Sequence, residues 1–521
     1  MLVLRVAVLL LLGAATAPSQ QTPIESADKV PVLEAVRNRF DHRLLRFVPP
    51  PPLVPPTGRA QVQELYMDQI LDHYNPNDKR TWKQRYFARS DLYQPGGPVF
   101  IFIGGEGQES AGSLMDYTLF ITYLAENFGA KTYDLEHRFY GKSHPLPDLT
   151  TASLQYLSAD QALADLAYFI EYLTETGGIV QGQQIVVFGG SYPGNLAAWA
   201  RYKYPHLIRA AISSSAPVHA KADFIEYMEV VGRSMTTKAG QWCFDNVKKA
   251  TDRIVQLLQT AAGYQQVRDT FRVGSDLVAK LDLDAFFETL SGPFAHAVQY
   301  NRDSTPQSTS NIKYICSFMS GNLTPDQAMA KLANLVLGKN NIPGIYYDWS
   351  YRSSITGLQN TAYTQDGEGI YGSSRQWIYQ TCSEFGYYQT YSAGDTPFPK
   401  GFYDVSYNYQ LCKDVYGTSF DKDEINAAVK RTNLFFGDRA PDVTNVFFLN
   451  GNIDPWYPLG ILGNLSRNAP AVLIDGGSHC ADMDYPNAMN DSPYISAAHT
   501  KVFDFLRNVL LEEPNSDPGA I

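Results

Sequence analysis

Apolar positions along the chain fall into two patterns, short unbroken runs and longer stripes at helical spacing. Pro98-Val-Phe-Ile-Phe-Ile103 is an unbroken run, as suits a strand buried on both faces of a sheet. Gln184-Ile-Val-Val-Phe188 and Ala210-Ala-Ile-Ser-Ser-Ser215 are two more. Asn445-Val-Phe-Phe-Leu449 and Ala471-Val-Leu-Ile474 resume the pattern far downstream. Between the first runs the spacing predicts a helix over about 112–128 and a returning strand from Lys131 to Glu136. Ser158-Ala-Asp-Gln161 reads as a capping box that opens a helix to about Thr176, closed by Gly177-Gly178. This alternation predicts an α/β domain.

From about 220 to 370 the buried-strand runs are missing and polar helical segments dominate, such as Gln241 to Gln259 and Thr324 to Leu337. The simplest organisation is one α/β domain in two parts, 63–219 and 371–512, interrupted by a mainly helical cap over 220–370. A cap placed over a sheet's carboxyl edge can narrow a site there. Ahead of the domain, Pro49-Pro-Pro-Pro52-Leu-Val-Pro55-Pro56 reads as polyproline II or disordered chain. Residues 18–62 are therefore a proline-rich tether or surface arm, with a propeptide as a further reading.

Residues 1–17 combine Arg5, a short apolar core and the small residues Ala15 and Ala17, the pattern of a secretory signal peptide. The run is short for a membrane anchor, and no later stretch reaches spanning length, so stable membrane insertion is not expected. Charge is acidic, 53 Asp and Glu against 42 Lys and Arg, with no basic run to engage a phosphate backbone. Nucleic acid is thereby excluded as a partner. In an oxidising compartment the five cysteines, Cys243, Cys316, Cys382, Cys412 and Cys480, predict two disulfides and one leftover thiol, with the pairing open. Asn322, Asn464 and Asn490 begin glycosylation sequons. Pro325 and Pro493 directly follow the first and third, which favours Asn464.

A serine hydroxyl attacks only when a positioned base takes its proton. Gly189-Gly190-Ser191-Tyr192-Pro193-Gly194 lies between a buried strand and a helical stretch, where a tight turn can lift Ser191 above the sheet. The common pattern is G-x-S-x-G; here Pro193 stands in the second glycine's place, which a first helical turn tolerates. Downstream, Asn445–Leu449 runs into Asp454, and Ala471–Ile474 runs through glycines to His479. Ser, Asp and His in that order, the last two just past strands, is the arrangement of the α/β-hydrolase fold. Ser191, Asp454 and His479 are thus the expected triad; the rival acids Asp438, Asp442 and Asp475 do not end strands in this way. The backbone N–H groups of Tyr192 and of Gly105, in Gly104-Gly105-Glu106-Gly107, are the expected oxyanion donors. A plain tight turn is the other reading of those glycines. The chemistry needs no metal and no cofactor.

These residues sit within longer stretches. They include Gln69-Ile-Leu-Asp-His73, Trp82-Lys-Gln-Arg-Tyr86, Glu136-His-Arg-Phe-Tyr-Gly141 and Leu196-Ala-Ala-Trp-Ala-Arg201. Arg375-Gln-Trp-Ile-Tyr-Gln-Thr-Cys382-Ser-Glu-Phe-Gly386, Asn450-Gly-Asn-Ile-Asp-Pro-Trp456 and Gly477-Ser-His-Cys480 follow. Together they resemble the lysosomal Pro-Xaa carboxypeptidase and dipeptidyl peptidase II family of serine peptidases, over most of the chain from about residue 65. The resemblance implies an α/β-hydrolase domain with a helical cap, peptide substrates, N-glycosylation, and an acidic lysosomal or endosomal location or secretion. It implies the pairs Cys243–Cys316 and Cys382–Cys412, leaving Cys480 unpaired. It also implies a specificity pocket walled by Asn195, Trp456 and the region just after His479, with Met483. Proline-specific members carry an apolar Met where this chain has Asn195. A buried amide must find hydrogen bonds, which argues against a tight apolar slot for proline. The basic residue that the carboxypeptidase carries close after its His is missing from Cys480-Ala-Asp-Met-Asp484.

The expected activity is peptide-bond hydrolysis by Ser-His-Asp acyl-enzyme catalysis, as an exopeptidase whose cap limits access to chain ends. An esterase or lipase on the same fold is the second reading. A non-catalytic binding protein is the third, and the complete triad weighs against it. Peptides are the expected partners, with a second copy of the chain as a further candidate.

Overall fold

A computed structural model describes residues 61–115, 117–363 and 373–511. The expected signal peptide and the proline run lie outside the described residues. Strands β1 to β5 are Gln63–Ile70, Thr81–Arg89, Val99–Ile103, Lys131–Leu135 and Ile185–Gly190. Strands β6 to β10 are Ala210–Ser214, Lys221–Asp223, Gly386–Tyr388, Val446–Gly451 and Ala471–Ile474. Eight of them form one sheet in the order β1-β2-β4-β3-β5-β6-β9-β10. β2 runs antiparallel to both neighbours, and from β4 to β10 every pairing is parallel. This is an α/β-hydrolase sheet.

The unbroken apolar runs make sense once both faces are covered. Val99, Ile101 and Ile103 of β3 join one apolar cluster, while Phe100 and Phe102 join the other. Successive side chains point to opposite faces, so each run feeds two cores. Helices Ala159–Glu175 and Tyr192–Lys203 cover the first face through Leu163, Leu166, Leu196 and Trp199. Phe120–Phe128 and Pro493–Leu511 cover the second through Phe120, Leu124, Val502 and Leu506. Each such buried side chain contributes about 1.5–3 kcal/mol relative to exposure.

One expected helix is shorter than its pattern. A 3₁₀ turn at Ala111–Leu114 precedes a helix that starts only at Phe120. Tyr117 lies between them at φ 60°, a left-handed conformation that a right-handed helix cannot pass through. The cap at Ser158 forms, its side chain accepting the N–H of Gln161. The Gln161 amide is instead spent on the backbone of His73 and on Asp72.

The chain leaves the sheet at Ser214 and re-enters it at Val446, beside the strand it left. The segment between is mainly helical, with β7 and β8 paired parallel inside it. Its helices run on through Val405–Tyr416 and Lys422–Phe436, well past residue 370. Two disulfides brace it, Cys243–Cys316 and Cys382–Cys412, and Cys480 is free and buried. Among the described residues no helix is long and apolar enough to cross a membrane. Asn322, Asn464 and Asn490 are all exposed. The hydroxyls of two sequons serve as helix caps: Thr324 receives Gln327 N–H, and Ser492 receives Ile495 N–H.

Candidate active site

β5 ends in Gly189-Gly190, and Ser191 caps the following helix with φ 65° and ψ −132°. Few side-chain-bearing residues adopt such angles, so the turn holds Ser191 under strain. Its N–H donates to Ser214 O at 2.9 Å, and its carbonyl accepts the N–H of Asn195 at 3.2 Å. Gly190 has no room for a side chain, because a Cβ there would lie 2.1 Å from Met483 Sδ and 2.9 Å from Cys480 Sγ. The loop bearing His479 is thus pressed against the turn bearing Ser191.

Asp454 and His479 follow β9 and β10, neighbouring strands in the sheet. Asp454 Oδ2 accepts from His479 Nδ1 at 2.8 Å, and Oδ1 accepts the Trp456 N–H at 3.0 Å. With Nδ1 committed as donor, Nε2 is left as the basic nitrogen. Among the described residues neither Nε2 nor Ser191 Oγ has a hydrogen-bond partner, and both residues are buried.

The helical segment holds this loop in place. Helix Lys280–Gln299 ends where Gln299 O accepts the His479 N–H at 2.9 Å. The Gln299 side-chain oxygen accepts from Trp456 Nε1 at 3.0 Å and from Tyr227 Oη at 2.6 Å. Arg302 donates to Ser478 Oγ at 3.1 Å and to Asp484 Oδ1 at 3.3 Å. Beneath the loop, Asp482 accepts from Ser214 Oγ at 2.7 Å, and burial pushes its carboxyl up to about 6.

Tyr192 begins its helix, so its backbone N–H has no intrahelical acceptor. Gly105 faces this turn: a Cβ on it would lie 2.4 Å from Pro193 Cγ. The proline that departs from the usual motif is therefore the surface on which the Gly105 loop rests. Behind it the Tyr192 ring is fully buried. His137 Nδ1 lies 2.8 Å from Arg138 O, which makes Nδ1 the protonated nitrogen. Burial lowers this imidazole to about 4, so it is neutral. Its Nε2 then accepts from Tyr192 Oη at 3.0 Å, and Gln380 Nε2 donates to the same oxygen at 2.9 Å. Tyr140 Oη donates to Gln380 Oε1 at 2.6 Å and completes the network.

Asn195 stands one helical turn after Ser191, fully buried, with Nδ2 donating to Pro217 O and to Tyr387 Oη, both at 3.3 Å. The Tyr387 ring meets Trp456 edge-on at 5.5 Å. Asn195, Tyr387 and Trp456 therefore form one wall from the Ser191 helix to the Asp454 loop. Met483 is not part of it. Cys480 takes φ 54°, turning the chain back, and Met483 packs under Gly190 in the other apolar cluster with Phe102 and Phe120. There it lines a small cavity with Gly189, Ser214 and Asp482.

Fold and site together define a serine hydrolase of the α/β-hydrolase class. The chain belongs to the family described as serine carboxypeptidase S28, which it matches over residues 69–502, and it is a serine peptidase. A Caenorhabditis elegans serine protease is 36% identical over 84% of this chain and 86% of its own. The mouse thymus-specific serine protease is 34% identical over 85% and 87%. The bovine lysosomal Pro-X carboxypeptidase is 27% identical over 84% and 85%.

Gln299, His137 and Gln380 had no role in the sequence reading. His137 and Gln380 lie in the Glu136–Gly141 and Arg375–Gly386 stretches, which offered a signal without a function. Gln299 ends a helix in the inserted helical segment and carried no signal of its own.

Proposed function

We propose that the chain hydrolyses peptide bonds through an acyl-enzyme on Ser191, and that it acts as an exopeptidase. The supporting observation is the Asp454–His479 bond at 2.8 Å, with His479 Nε2 and Ser191 Oγ both buried and without a hydrogen-bond partner among the described residues. His479 Nε2 takes the Ser191 proton as Oγ attacks the carbonyl, and later returns it to the leaving amine. Asp454 fixes the tautomer and stabilises the imidazolium. Tyr192 N–H and Gly105 N–H receive the oxyanion, each worth about 10²–10³ in rate. Water then takes the place of the amine and releases the acyl group. The helical segment acts as the cap: Ser191 is 0% exposed and His479 1%, a depth that suits chain ends better than the middle of a folded substrate.

Asn195 and Trp456 line the pocket for the residue before the scissile bond, whereas Met483 supports the turn from below. The working place is an acidic compartment of the secretory pathway, with Asn464 the favoured glycosylation site. A fluorophosphonate probe tests the reading: wild type should be labelled at mildly acidic pH and Ser191→Ala should not. An unlabelled wild type would refute it. Labelling with turnover of esters but not of peptides would point to the esterase class instead.

A further inference from the structure

Asn195 carries an unbalanced pair of hydrogen-bonding atoms. Tyr387 Oη donates its own proton to Pro217 O, so it meets Asn195 Nδ2 as an acceptor. Asn195 Nδ2 donates toward Pro217 O and Tyr387 Oη, which lie side by side as partners of one another and so share one amide proton. Turned over, the amide would set its carbonyl oxygen against that of Pro217, so the network fixes which atom faces which way. The amide oxygen, Oδ1, is a fully buried acceptor with no partner among the described residues. An unpaired buried carbonyl is costly, and a site that leaves one is completed by whatever donates to it.

Its position says what that donor is. Asn195 N–H is bonded to Ser191 O, which sets the amide one turn from the nucleophile on the same helix. Tyr387 and Trp456 make the rest of the wall aromatic.

Resting on the peptidase reading above, we propose that Asn195 Oδ1 selects substrates whose P1 side chain carries an uncharged hydrogen-bond donor. That means a hydroxyl or carboxamide, as in Ser, Thr, Asn or Gln, rather than proline or an aliphatic residue. A P1 hydroxyl satisfies Oδ1 while its carbon skeleton packs on the rings. An aliphatic P1 of the same shape strands the acceptor, and discrimination of this kind is larger than a missing methylene gives.

Two diphenyl aminophosphonates, which phosphonylate a peptidase serine and present only P1, provide a matched test: one with a 1-hydroxyethyl side chain, the other with isopropyl. The hydroxyethyl compound should inactivate wild type at least about tenfold faster. In Asn195→Leu the ratio should fall to unity or invert. Equal rates in wild type, or a ratio unchanged in the variant, would overturn the proposal; the wild-type ratio needs no variant to fold. A fluorophosphonate without a P1 side chain separates the two readings. Absence of its reaction with wild type refutes the peptidase itself, whereas its reaction alongside equal phosphonate rates refutes only the role of Asn195.

Discussion

The backbone N–H of His479 donates to the carbonyl of Gln299 at 2.9 Å, so the end of a helix from the inserted segment holds the proposed general base at the edge of the α/β sheet. The same residue accepts from the Trp456 indole and the Tyr227 hydroxyl, and so reaches the loop of the catalytic acid as well. Gln299→Leu should leave the buried Trp456 indole N–H without its acceptor and lower stability by about 1–3 kcal/mol. Its kcat should fall more than KM rises, because the loops lose alignment without losing a substrate contact. Gln299→Glu keeps an acceptor and should restore part of the rate. Denaturant unfolding with steady-state kinetics measures both effects.

Ser191→Ala should fold as wild type does and lose activity by about 10⁴-fold or more. Asp454→Asn should retain labelling by the fluorophosphonate at a greatly reduced rate, since the tautomer of His479 is no longer enforced. Thermal unfolding beside labelling kinetics separates these losses from misfolding.

Tyr192→Phe removes the hydroxyl shared by His137 and Gln380 while leaving the Tyr192 backbone N–H in the chain. A destabilisation of about 1–3 kcal/mol is expected from the two stranded groups. A fall in kcat should accompany it if the ring orients that N–H toward the oxyanion. An unchanged kcat at full folding would detach the network from catalysis.

Two carboxyls, Asp482 buried and Glu384 half-buried, tie stability to pH. Burial pushes Glu384 up to about 8 and Asp482 up to about 6. Both are raised above their unfolded values, so their contribution is full below about pH 4 and fades as pH rises through 6 and then 8. His137, lowered to about 4 by burial, works the other way and loses its contribution as pH falls from about 6.5 toward 4. The His137 effect cancels when a variant is compared with wild type at each pH. Glu384→Gln should therefore gain stability relative to wild type between pH 5 and pH 8. A difference independent of pH would contradict the raised carboxyl.

Thiol titration should find no reactive cysteine in the native protein and one after unfolding without reductant. Cys480 is the free cysteine, and burial pushes its thiol well above the ordinary range.

The strands were legible because Val99–Ile103 and Val446–Gly451 are buried on both faces and so read as unbroken apolar runs. The candidate triad was legible for a related reason: each member follows a strand, and strand ends are easy to place. What stayed hidden depends on contacts between distant segments. Nothing local joins Gln299 to His479, or Gln380 to Tyr192, since these bonds exist only after the helical segment folds back over the sheet. Met483 was named through the resemblance alone, and the direction its side chain takes depends on the left-handed turn at Cys480, which residue type does not announce. The break at Tyr117 was hidden likewise, as residue type alone does not announce a positive φ.

The strand order also sets a timetable for biosynthesis. β5 and Ser191 leave the ribosome first, but β6 keeps an open edge until β9 arrives, and His479 comes later still, after β10. An open parallel edge invites wrong partners, so the nascent chain must be guarded while its helical segment is made. The same order is a safeguard. A product ending between Ser191 and Ala471 would carry the proposed nucleophile without its proposed base, and so would lack the hydrolytic centre.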